Sequence, residues 1–135
     1  PELSKIFRVQ ITSRDVKRKV LKIPVENLHQ RLSWYMTTFA LSGKELGKTL
    51  VRDPRILQCN PRTTAAKRVQ YLSRRGLDKA ELTKIFKKSP MLFRLDVRKS
   101  MEPRFHFLSK IGIPKNKHAL MVVKDPAIMH RSISS

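Results

Sequence analysis

The sequence predicts an all-α helical-repeat solenoid of units about 36 residues long, each a helix, a proline-centred turn and a second helix. Three observations predict it. Prolines recur at positions 54, 90 and 126, each with a cation two residues earlier (Arg52, Lys88, Lys124) and apolar residues just after. Ser42 with Glu45, and Asp78 with Glu81, have the spacing at which two side chains satisfy the free N–H groups of a helix start. Gly76 and Gly112 stand one period apart, where second helices should end.

Residues 1–22 carry no clear cap or proline; "FRVQI" alternates like a short strand, and the segment is assigned no structure. A partial unit covers 23–40, where "VENLHQRLSWY" matches "RKSMEPRFHFL": Leu28 falls on Met101, Arg31 on Arg104, Leu32 on Phe105, Trp34 on Phe107 and Tyr35 on Leu108. That match is offset by 73 residues, so one extra residue lies before Leu41. The first full repeat, 41–76, opens on the Ser42–Glu45 box with Leu41 and Leu46 at staple spacing. Its helix should stop before Pro54, because proline disfavours α conformation in the preceding residue and supplies no N–H. Ile56 and Leu57 then suit a tight turn pinned to the core, and a second helix is expected over about 61–74. The repeat at 77–112 copies this plan with Asp78, Glu81, Pro90, Leu92 and Phe93, and a second helix over about 100–110. The partial unit at 113–135 has Pro114 in the cap region, which is compatible with a helix start, and Ile128 and Met129 after Pro126.

Charge sets the function class. Thirty Lys and Arg against ten Asp and Glu leave a net charge of +20, a self-repulsion that a polyanion would relieve. Nucleic acid is the leading partner, and an anionic membrane surface would suit a similar composition. The longest uninterrupted apolar run, "ALMVV" at 119–123, is too short to span a bilayer. Cys59 stands where the later copies carry Leu95 and Arg131, and reads as a packing thiol in a reducing compartment. His29, His106, His118 and His130 lack metal-ligand spacing with it, and four glycines form no phosphate-cradling loop. Neither an enzyme, a cofactor nor a metal site is expected.

The cations fall in register. Lys48 and Lys84 lie one turn before Arg52 and Lys88 on the same helix face, and Lys124 continues the row. Leu46 and Leu50 lie about 200° round the helix from that line, towards the core. Stacked helices about 8–10 Å apart would turn one cation per unit into a ladder suited to a phosphate backbone. A cation in a last helical turn also complements the helix dipole, which is the structural explanation for that single position. Arg55, Arg62, Arg68, Arg98 and Arg104 add to the excess, and with Lys48, Arg52, Lys84, Lys88 and Lys124 they form the expected nucleic-acid-binding set. Phe86, Phe93, Phe105, Phe107 and Tyr71 occupy apolar repeat positions and are assigned to the core; Trp34 is weighed as a ligand contact beside packing.

The stretches "LSGKELGKTLVRDPRIL", "LDKAELTKIFKKSPMLF" and "MEPRFHFLSKIGI" resemble the repeats of the mitochondrial transcription termination factor (mTERF) family in leucine spacing, internal proline and the Pro-Arg-apolar opening of the second helix. The resemblance covers about residues 23–135. The resemblance implies a curved all-α solenoid of helix pairs joined by short 3₁₀ turns, in mitochondria or chloroplasts, that binds DNA or RNA through a basic surface. Pro114 in the cap position, Arg18 where an upstream proline is expected, and the small number of repeats depart from that pattern. Encircling a long duplex requires more units, so the expected partner is structured RNA, ribosomal RNA above all, for a mitochondrial ribosome-associated component or assembly factor. The alternatives are a DNA-binding factor of organellar transcription termination or regulation, and a protein adaptor that tethers a partner enzyme to RNA.

Overall fold

The computed structural model describes residues 14–130, and among them it is all helix and turn. Helix α1 spans Arg14–Leu21 and α2 spans Val25–Phe39. The strand-like "FRVQI" lies outside the described residues. The repeats follow as α3 (Gly43–Arg52), a 3₁₀ turn (Pro54–Leu57) and α4 (Ala65–Arg74), then α5 (Lys79–Lys88), a 3₁₀ turn (Pro90–Arg94) and α6 (Glu102–Lys110), then α7 (Lys115–Lys124) with a 3₁₀ turn (Pro126–Met129).

Local chemistry sets these bounds. Both capping boxes form: the Ser42 N–H donates to Glu45 Oε1 at 3.0 Å and the Glu45 N–H to Ser42 Oγ at 3.1 Å, with 3.0 and 2.8 Å for Asp78 and Glu81. Before each proline the chain turns extended in the same way, with φ/ψ of −154°/88° at Asp53, −145°/74° at Ser89 and −143°/81° at Asp125. The second helix of the first repeat starts at Ala65, later than the periodicity predicts, and that of the second repeat opens at Val97 on a π-helical turn before α6. Asn60 Oδ1 accepts from Arg62 N–H and Asp96 Oδ1 from Lys99 N–H, while Ala66 N–H reaches Pro61 O and Met101 N–H reaches Asp96 O. Those five-residue bonds widen the first turn, so 97–101 is a π-helical turn and α4 begins at Ala65.

Three helix ends close alike. Leu41 N–H bonds Met36 O, Leu77 N–H bonds Leu72 O and Ile113 N–H bonds Leu108 O, with a left-handed residue before each donor. Two of those residues are Gly76 and Gly112; the third is Ala40, at φ 52°. An L side chain in this region costs about 1–2 kcal/mol, so the first closure is strained where its copies are not.

The first helices form one layer in which α3 packs on α5 and α5 on α7, while α2, α4 and α6 cover them from the other side. Leu46, Leu50, Leu82, Ile85, Phe86 and Val122 fill the seam from the first layer, and Leu28, Leu32, Tyr35, Phe39, Leu72 and Phe105 from the second. The turns contribute Ile56, Leu57, Leu92, Phe93 and Met129. Phe107 departs from its expected core assignment, since 39% of it is exposed. Trp34 and Tyr71, at the matching positions, are half-buried, so this repeat position is the rim of the core and Phe107 is its most open copy. Cys59 is a free, half-buried thiol.

Candidate nucleic-acid interface

The leucine face of α3 is fully buried at Leu46 and Leu50, which turns Lys48 and Arg52 outward. Lys84 and Lys88 on α5, and Lys124 on α7, are likewise exposed, as are Arg55, Arg62 and Arg98. The two described ion pairs are Lys87 Nζ with Glu45 at 2.5 Å and Arg94 with Asp53 at 2.6 Å. Lys48, Arg55, Arg62, Lys84, Lys88, Arg98 and Lys124 thus have no carboxylate partner among the described residues. Because α3, α5 and α7 are consecutive neighbours, their outward cations belong to one layer.

Three arginines of the expected set have work inside the scaffold. Arg52 donates to the Lys87 carbonyl in the last turn of α5, so it complements the neighbouring helix's C-terminus rather than its own. Arg68 donates through Nε to Leu95 O at 2.8 Å and through Nη1 to Thr64 O at 3.0 Å. Arg104 donates to Ser100 O at 2.7 Å. Arg31, at the matching position of α2, donates to Leu57 O at 2.6 Å. Arg31 and Arg68 therefore perform one task, each tying a second helix to the proline turn of the unit that follows.

Asp53 and Arg94 form a fourth tie. The carboxylate is buried just before Pro54 and receives Nε at 2.6 Å and Nη2 at 3.1 Å, a bidentate fit across successive proline turns. Glu45, hydrogen-bonded by Lys87 and by the Ser42 N–H, has its carboxyl held down to about 2. Tyr35 donates to Ile56 O at 2.7 Å, and burial pushes its phenol well above the usual range.

Two depressions lie at the α2 edge. A recess of about 40 Å³ is lined by Asn27, Gln30, Arg31, Trp34, Asn60 and Arg62, among others. Trp34 packs edge-on to Tyr35 at 5.2 Å, and so serves the core while lining this recess. A larger cleft of about 830 Å³ gathers Lys19, Lys22, Arg31 and Arg55 around Asp53. Lys19 and Lys22 escaped the sequence reading because they fall outside the 36-residue register, and only their sign hinted at a role. Among the described residues no three side chains are grouped to hold a metal ion, and no helix is long and apolar enough to cross a membrane.

The geometry suits polyanion binding: cations open to solvent on a packed helical layer, with few carboxylates to compete. Comparison with curated proteins and with solved structures gave no match. The family model described as mTERF matches residues 4–135, nearly the whole chain, and takes in α1 as well as the repeats. Proteins of that family are organellar, nucleic-acid-binding helical-repeat proteins and not typically enzymes. With its period, its proline turns and that match in agreement, the chain belongs to the mTERF family.

Proposed function

We propose that this chain binds structured RNA, ribosomal RNA in particular, through its phosphate backbone, as a component or assembly factor of the mitochondrial ribosome. The observation that carries the reading is the layer α3, α5, α7, which exposes Lys48, Lys84, Lys88 and Lys124 with no carboxylate partner among the described residues. Each phosphate neutralised there releases condensed counterions, and a charge of +20 on 135 residues supplies many such contacts. Arg55, Arg62 and Arg98 extend the surface, while Arg52 and Arg68 tie together the elements that carry it and Arg104 braces the start of its own helix.

The test compares ribosomal RNA fragments with duplex DNA of equal length across a salt series. Log affinity for RNA should fall steeply with log salt, and the chain should co-sediment with ribosomal subunits. A slope near zero on both ligands defeats nucleic-acid binding; tighter binding to DNA replaces this reading with a role in organellar transcription. An adaptor is favoured by Phe107, Ile111 and Leu120, which are 39%, 55% and 51% exposed on and beside α6 and α7. A protein partner retained after nuclease digestion at high salt would establish it.

A further inference from the structure

We propose that the cleft between α1, the start of α2 and the first proline turn binds a terminal phosphate, a monoester or polyphosphate carried by an RNA end or by a free nucleotide. For the RNA end the proposal rests on the reading above; for the free nucleotide it stands alone. The α3, α5, α7 layer offers cations in succession, which matches phosphodiesters of one negative charge each. The cleft does something different. Lys19 and Lys22 from the end of α1, Arg31 from α2 and Arg55 from the proline turn surround one concavity of about 830 Å³, within the size range of small-ligand sites. Converging cations fit a denser charge, and a phosphomonoester carries about −1.5 to −2 at pH 7.

Two further features favour a built anion site. Asp53, the carboxylate in the lining, is already held in bidentate fashion by Arg94, so it takes no cation away from the cleft. Arg31 is pre-oriented: one of its five donors is fixed on Leu57 O at 2.6 Å, which leaves a positioned guanidinium for a phosphate oxygen pair. Ile23, Pro24 and Pro54 form low-dielectric walls that concentrate the field of the four cations.

The experiment uses one single-stranded RNA in 5′-hydroxyl, 5′-phosphate, 5′-triphosphate and 3′-phosphate forms, and adenosine triphosphate alone, at near-physiological salt. At least one phosphorylated end should bind about tenfold tighter than the hydroxyl form, the gain expected of charge-assisted hydrogen bonds. K22A/R55A, both exposed positions, should erase that ratio with helicity intact. K84A/K88A should weaken every RNA form and keep the ratio. Saturable nucleotide binding lost in K22A/R55A, without an end preference, assigns the cleft to free nucleotides. The proposal is overturned if all RNA forms bind alike and the nucleotide does not bind, or if the end preference survives in K22A/R55A. In that case tight, salt-dependent binding of all forms still upholds the backbone reading, whereas weak, salt-insensitive binding of all of them sinks that reading separately.

Discussion

The junction where α2 meets α5 and the second proline turn differs in kind from the junction of α6 with α7. In the first, Phe39 stacks on Phe86 at 4.2 Å and 11°, Tyr35 stacks on Phe86 at 5.2 Å, and Phe93 meets Phe39 edge-on at 5.2 Å. In the second, Phe105 faces the buried His118 at 6.0 Å, with Arg75 4.6 Å over the Phe105 ring. His118 Nε2 lies 2.8 Å from Ile113 O, so the histidine links the start of α7 to the chain before it. The repeat thus keeps its backbone plan while the filling changes from an aromatic stack to a mixed polar one. Apolar periodicity places the elements; ring-to-ring fit decides how firmly each pair is joined.

Truncation should expose that difference. Phe86→Ala should lower unfolding free energy by about 3–5 kcal/mol in urea denaturation, the range for a buried aromatic. Phe105→Ala should fall at or below the lower end, because its neighbours Tyr71 and Arg75 are half-buried and free to collapse into the gap. Equal losses would break the contrast. Between these junctions, Arg94→Ala leaves the Asp53 carboxylate buried without its cation. A loss of about 2–3 kcal/mol is expected, under the value for a fully enclosed pair because a quarter of the Arg94 side chain meets solvent.

Smaller effects sharpen the same comparison at the helix ends. Ala40→Gly should stabilise by about 1 kcal/mol, and Gly76→Ala should destabilise by about 1–2 kcal/mol, since the two share a left-handed backbone. A thermal-melt series of both variants checks the opposite signs. The smallest effect is electrostatic. The Glu45 carboxyl lies at about 2 when folded against 4.5 when free, so its contribution is present above 4.5 and is lost as pH falls towards 2. Glu45→Gln should flatten the acid limb of stability between those values, by little, because both ends of its pair with Lys87 are 41% exposed.

Much of the fold was legible because its signals are local. Capping boxes, pre-proline residues and glycine closures act within a few residues, so they survive in sequence as fixed spacings. Ala40 hid its closure because alanine gives no hint of a left-handed backbone. The widened turns at 61–64 and 97–101 shifted the starts of the second helices from the expected positions, since a five-residue bond leaves no compositional mark. Charge announced a polyanion surface but could not sort its members. Lys84 and Arg68 read alike on paper, yet one faces solvent and the other holds Leu95 O some 27 residues on. The cleft needed α1 folded beside the first proline turn, a contact between segments that share no repeat register.

The ties of Arg31 and Arg68 end on peptide oxygens, which every residue type supplies. Substitution at the half-buried Leu95 therefore leaves the docking point of Arg68 in place, whereas Leu57 is held by its place in the core. Where the receiving side chain is not part of the core, the tie tolerates sequence drift, and the outward positions can diversify to suit a new ligand without loosening the stack.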